Sequence, residues 1–472
     1  MRVRVASLIT SWLVGIVAGA LSAPHRFTII LIFLGFAFFL YRRIRIQLLI
    51  GGCLLVALGY LYGLQSNTKY ETSCAPSDTM QATLRKTYAL TPTQAQYVFV
   101  REDGCTLLVY APRFPVLVKG TVVSVVGKQE TLLRAFASLP EYGEFLRDEG
   151  ISLVVRNAQV DVLQLGNAPV DMFRIQVVRR IGTLFREPDA SLMTAMIAGD
   201  QGMIPQSIKD IYRRSGITHI LSISGLHVSI IAIVLSFIVG LFHVSSLVRS
   251  FIISGLLWTY IVAVGAPASA VRAGVFWTCY VLAYHVRAFV GLLTVILLTL
   301  AVLLTISPEL VRSIGFELSV VAVCGIGVAL FFVRRIRFSS WMQDIATLFA
   351  VSLGATIATA PLTLYYFGNV SLAGLVTNIA VVPLLPFVMY LVLVALFFQT
   401  FFIPLALVLS FIAHALMTWM LFIATLCASI PYGHFEQISF PIWGIFLYYG
   451  LITVLIILLM KHLKIPWRDW WV

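Results

Sequence analysis

Charge is what this sequence has least of. Of its 472 residues 11% are charged and 60% are hydrophobic, a balance that excludes a soluble globular domain. Signatures of several chemistries are missing too. No G-x-x-x-x-G-K-[ST] loop occurs, and the nearest pair, Gly127-Lys128, lacks its spacing. HExxH, CxxC and the G-x-S-x-G elbow are also absent. A nucleotide-driven motor, a zinc or other metal site and an α/β-hydrolase are therefore not expected, nor is any cofactor. Cysteine is sparse, with six in all. Cys53, Cys279, Cys324 and Cys427 lie in apolar runs and read as small core residues. Cys74 and Cys105 lie in the one long segment expected outside the membrane, where an oxidising compartment permits a disulfide between them.

What is present is apolar sequence in long runs. The expected architecture is an all-α polytopic membrane protein with an inserted small β-barrel. Twelve spans are assigned, near 6–23, 27–41, 47–64, 219–243, 247–264, 271–287, 290–306, 316–333, 343–366, 372–398, 402–430 and 440–460. The first reads as a membrane helix and not a cleaved signal, because another apolar span follows at once. With both termini in the cytoplasm, the inside segments carry 13 basic residues, among them Arg42, Arg43, Arg334, Arg335 and Lys461, against Asp344 and Asp469. The short outside loops carry Arg26, Arg272 and Arg312. Most of the net charge of +13 thus reports orientation and not a nucleic-acid surface.

Five regions follow: helices in 1–65, an extracytoplasmic β domain in 66–170, amphipathic interfacial helices in 171–217, a helical membrane domain in 218–460 and a tail in 461–472. Short alternating runs at 97–101, 105–110, 116–126, 151–156 and 159–165, with Asp103-Gly104 between the first two, suggest an OB-like barrel. Leu132–Glu149 reads as a helical or mixed insertion. Such barrels hold single strands on aromatic platforms and basic grooves. Tyr97, Phe99 and Tyr110 are candidates for a platform, and Arg101, Lys119 and Lys128 for a groove. Lys plus Arg and Asp plus Glu both number ten here, so core aromatics and solvated charges are the competing reading.

The membrane domain opens on SGITHILSISGLHVSII at 215–231, where His219, Ser222, Ser224 and His227 interrupt an apolar run. Read as one helix, His219 and His227 lie ~80° apart and Ser224 shares a face with His227. This polar stripe faces either a pore or a packed helix interface, and Gly225 permits a break there. A hydrolase reading takes Ser224 as nucleophile, His227 as base and Asp200 as orienter, with poor triad geometry for an i, i+3 pair. Two histidines alone do not make a metal site. Later spans are broken by GAPASAVRAG at 265–274, APLTLYYFGN at 360–369 and NIAVVPLLP at 378–386, a pattern that points to a substrate path. Arg272 wants an anion at membrane depth, phosphate above all, or snorkels to the surface. Glu317 and Asn378 are further intramembrane polar groups, and Glu317 is a candidate partner for Arg272.

Gly199-Asp200 followed closely by SGITHILSISGLH at 215–227 resembles the signature of the competence-protein family typified by ComEC. Arg272-Ala273, Pro308, the run Gly315 to Ser319, Ala360-Pro361-Leu362, Phe367-Gly368 and Asn378 extend the resemblance, and LPEYGEFLRDEGI at 139–151 resembles the family's outer-domain motif. The resemblance implies a channel passing single-stranded DNA across the cytoplasmic membrane during natural transformation, not an enzyme. It implies membrane lipid, a DNA receptor, a separate nuclease and a cytoplasmic motor as partners, with a homo-oligomer left open. The DNA path would run by Asp200, His219, Ser222, Ser224, Gly225, His227, Arg272, Glu317 and Asn378. Two departures stand out: no metallo-β-lactamase-like domain follows the last span, and position 317 is Glu where Gln is usual. A secondary transporter of another anion and the Ser224/His227 hydrolase are the alternatives.

Overall fold

The structure is a computed structural model. It describes Cys74 and residues 80–463, apart from 91–93, 113–116, 137–145, 148–149, 167, 287–291, 337–338, 437 and 439. The three spans assigned before residue 65, with Cys53, lie outside the described residues.

Five strands close into a barrel in the order β1-β2-β3-β5-β4: β1 Met80–Leu90, β2 Gln94–Arg101, β3 Thr106–Pro112, β4 Val122–Thr131 and β5 Leu153–Gln164. All pairings are antiparallel except β3 with β5. This is an OB-like barrel. The sequence reading missed β1 and divided β5 in two. The division falls at Asn157, which has φ 51° and stands beside a register shift between Val126 and Lys128. Leu153 and Val155 point inward before it, and Ala158 after it, so one extra residue inverts the alternation. Opposite lies Gly127, where a Cβ would stand 2.8 Å from a Val155 methyl and 3.0 Å from the Arg156 carbonyl. The barrel has two cores. Tyr97, Phe99, Leu107 and Val123 fill the inside. Outside, Val98, Leu108 and Val154 are covered by Leu132, Phe136, Leu146 and Ile151 of the β4–β5 insertion. Cys74 and Cys105 are joined by a disulfide with S–S 2.02 Å.

Helices follow: α1 Pro169–Leu184, α2 Asp189–Ala198, α3 Gln206–Arg214, α4 Gly225–Gly240, α5 Ser246–Ala263, α6 Ala268–His285, α7 Leu292–Ile306, α8 Ile314–Val333, α9 Ser340–Phe367, α10 Gly374–Val381, α11 Leu385–Phe398, α12 Ile403–Ala428 and α13 Ile442–His462. Among the described residues six stretches are long and apolar enough to cross a membrane: α5, α8, most of α9, α10 with α11, α12 and α13. The chain is a helical membrane protein. The nine spans assigned after residue 218 each find a helix, but α4 begins six residues late and α7 has 15 residues.

Two features set the core. α8 and α9 cross at Gly325 and Gly354, where a Cβ on Gly325 would lie 2.3 Å from the Gly354 carbonyl; small residues allow this approach. Residues 169–216 run the length of α12. Thr183 of α1 receives a hydrogen bond from Gln399, just before α12 (2.6 Å). At the other end Ser371 donates to the Arg214 carbonyl (2.7 Å) and Ala373 to the Gly433 carbonyl (2.8 Å). All ten residues of α2 are buried between these ends. Within the segment 171–217, expected to hold interfacial helices, α2 lies instead in the helical core.

Candidate functional site

Gly199 ends α2 in the left-handed conformation, φ 73°. A side chain there would be strained by that φ and would press on Ile223 Cδ1 at 3.0 Å. Asp200 then turns the chain, its carboxylate accepting from the Gly202 N–H at 2.9 Å. Next comes a 3₁₀ turn, Thr218–Leu221, with His219 exposed on it and the Ser222 hydroxyl reaching back to the His219 carbonyl at 3.4 Å. Ser222 and Ser224 are extended, and α4 starts at Gly225. His219 and His227 therefore share no helix, and the expected stripe across 219–227 is replaced by a break.

Ser224 is the N-cap of α4 and His227 is its third residue. The Ser224 N–H donates to His227 Nδ1 at 3.2 Å, and the Ser224 hydroxyl lies 2.9 Å from the same nitrogen. This is a capping box with histidine where glutamate or glutamine usually stands. A backbone N–H only donates, so Nδ1 is an acceptor and the neutral ring carries its proton on Nε2. His227 is fully buried, and among the described residues Nε2 has no partner. No carboxylate among the described residues meets that nitrogen, so they form no Ser-His-Asp triad here.

The start of α6 closes the site. Ser269 donates a short hydrogen bond to the Ile223 carbonyl, and a Cβ on Gly225 would stand 3.8 Å from Ala273 Cβ. The Gly199-Asp200, Ser224-to-His227 and 265–274 motifs, distant in sequence, thus meet around Ile223. From α6 the guanidinium of Arg272 reaches the Gly315 carbonyl at 3.1 Å, while its Nε is buried without a partner among the described residues. Arg272 makes no ion pair with Glu317 among the described residues, contrary to the expected pairing. Glu317 is buried and accepts from the Tyr366 hydroxyl at 2.7 Å. Asn378, on α10, donates to Ser352 at 3.0 Å and leaves its Oδ1 buried without a partner.

Sequence reasoning missed a second polar group. Asp189, 6% exposed, opens α2 and makes a short hydrogen bond to His414 Nδ1 of α12. The Tyr212 hydroxyl is buried without a partner. A signal was available for His414, which falls in an apolar stretch; Asp189 follows Arg186-Glu187-Pro188 and reads locally as a polar helix start.

In the barrel two of the three platform candidates are core residues. Tyr97 and Phe99 are 1% and 0% exposed, and the outward side of β2 and β3 is occupied by the insertion. Tyr110 is partly buried, with Arg156 above its ring at 5.7 Å. Two groove candidates are neutralised. Arg101 pairs with Asp103 and Lys128 with Glu130 at 2.8 Å. The Arg101 guanidinium, then the Cys105 N–H, hold the Asp103 carboxyl at about 2. Lys119 is exposed, and its backbone N–H ties the barrel to Asp171 of α1 at 2.7 Å.

The fold and site define a class: a helical membrane protein with an OB-like barrel and a polar, interrupted helix start in its core. The family profile described as competence protein matches residues 196–462, more than half of the chain and all of the convergent motifs. The chain belongs to the competence protein family. It is 26% identical over 214 residues to ComE operon protein 3 of Bacillus subtilis, covering 45% of this chain and 27% of that protein. It is 24% identical over 227 residues to Recombination protein 2 of Haemophilus influenzae, covering 44% and 28%. The chain spans little more than a quarter of the length of these relatives. No solved structure matches it.

Proposed function

We propose that this protein passes single-stranded DNA across the cytoplasmic membrane during natural transformation. The observation that carries the reading is that the family match, 196–462, contains every motif converging on Ile223, including a buried guanidinium edge at Arg272. An arginine at membrane depth with an unfilled donor suits a passing phosphate. α4 starts beside the helix of Arg272 at Gly225, and the helix dipole at that N-terminus favours an anion. Glu317 is held toward Tyr366 by the hydrogen bond it accepts from that hydroxyl. A DNA receptor, a nuclease and a cytoplasmic motor on other chains fit the same reading, as does a cytoplasmic orientation of both termini.

The test is uptake of labelled DNA in cells lacking the gene. Loss of nuclease-resistant internal single strands with surface binding intact, restored by the wild-type gene and by Ser224→Ala but not by Arg272→Ala, is expected. Unchanged internalisation in a competent host defeats the DNA reading and leaves a carrier of another anion. Loss of all activity in Ser224→Ala with normal folding defeats the channel reading in favour of hydrolysis.

A further inference from the structure

α1 does not seat fully on the helical core. Between it and the ends of α2, α5 and α11 lies a cavity of about 270 Å³. Val177, Ala263, Leu393 and Leu396 line it. The hydroxyl of Tyr260, also in the wall, is already spent on the Ile197 carbonyl at 3.3 Å. Ordered water needs two to four polar partners, so this chamber favours hydrocarbon.

The remaining polar groups of the lining are two guanidinium groups, Arg174 and Arg180. Arg174 makes no hydrogen bond or ion pair among the described residues; its Nη1 lies 3.8 Å from where a Cβ on Gly265 would be. Arg180 spends Nη1 on the Thr400 hydroxyl at 3.0 Å and keeps its other donors. Around the mouth the surface is that of a membrane boundary. Met172, Phe173 and Ile175 of α1 are exposed, as are Phe397, Phe401 and Phe402 beside the polar pair Gln399-Thr400. An amphipathic helix with arginines above and aromatics alongside lies at the headgroup level.

We propose that this cavity is a specific site for one anionic phospholipid, with an acyl chain in the chamber and the headgroup phosphate held by Arg174 and Arg180. Apolar walls select a chain, and paired guanidinium groups select a phosphodiester without a compensating ammonium. The site adjoins the convergent motifs through Ala198 and Val264, beside Gly199 and Gly265. It would pin α1, and with it the barrel through Lys119 and Asp171, to the membrane domain.

The test is retention of labelled phosphatidylglycerol and of phosphatidylcholine with the same chains by the purified full-length protein in mixed micelles. The wild type should prefer phosphatidylglycerol by about tenfold or more, equivalent to ~1.4 kcal/mol. Arg174→Gln with Arg180→Gln, both on an accessible surface, should bring the two lipids to near equality. Ala263→Phe, which fills the chamber, should lower retention of both; thermal melting checks that this variant is folded. Inorganic phosphate should not displace the lipid. Equal retention of the two lipids by the wild type overturns the proposal, as does undiminished phosphatidylglycerol in the arginine double variant. Full displacement by phosphate reassigns the arginines to a free anion and also overturns it.

Discussion

At the scale of single residues, Ser224 and His227 show how one local arrangement separates two chemistries. The pair is 2.9 Å apart, as a nucleophile and base would be, yet the same ring nitrogen accepts the Ser224 N–H. The structural role predicts graded losses. Ser224→Ala should destabilise the protein by about 1 kcal/mol, as for other N-cap truncations. His227→Gln keeps an acceptor at the third position and should melt closer to the wild type than His227→Ala does; thermal unfolding in detergent distinguishes them. In the barrel, Asp103 gives a pH signature. Its folded carboxyl sits at about 2, below the ordinary value of about 4. Its contribution is therefore complete above the ordinary value and is lost as pH falls toward about 2. Asp103→Asn keeps an acceptor for the Cys105 N–H but loses the ionic bond. The difference in melting temperature between wild type and variant, present near neutral pH, should vanish near pH 2. The polar character of 219–227 was legible in sequence. Its shape was not, because an apolar count does not register the extended backbone from Ser222 to Ser224 that leads directly into α4.

At the scale of elements, hydropathy located the helices after residue 218 because lipid-facing helices must be apolar throughout. It failed where tertiary packing sets the environment. α2 reads as a short apolar helix beside a basic amphipathic one, and nothing local says that it is enclosed. Its burial follows from the hydrogen bonds at both ends of α12. The missed strand β1 and the divided β5 have a similar cause, since the bulge at Asn157 shifts the alternation that the reading relied on. Burying α2 forces Asp189 into the core, where His414 is its partner. Removing that partner leaves a buried carboxylate alone. His414→Ala should therefore cost roughly 1–3 kcal/mol, below the usual range for a buried pair because the imidazole is 58% exposed. Adding Asp189→Asn should recover part of that loss. Additive losses in the double-mutant cycle would mean that the two side chains are not coupled.

At the scale of the whole molecule, the distribution of charge and aromatic surface argues for where DNA is not held. The barrel turns Tyr97 and Phe99 inward, covers the outward face of β2 and β3, and neutralises Arg101 and Lys128 with carboxylates. These four residues therefore offer little to counterion release or base stacking, while Lys119 stays exposed on the barrel. The unfilled donor of Arg272 lies instead at the convergence of α4, α6 and α8. The two arrangements make opposite demands on the same assay. Lys128→Gln with Tyr110→Ala in the barrel should leave internalisation of labelled single strands within about twofold of wild type, because neither residue presents a free contact. Arg272→Lys keeps the charge but loses the planar fork that matches phosphate, and should lower internalisation well below that limit. If the barrel double variant instead abolishes uptake while remaining folded, the insertion over β2 and β3 must open to admit the strand, and the outer domain would then be a DNA-binding element and not a closed cap.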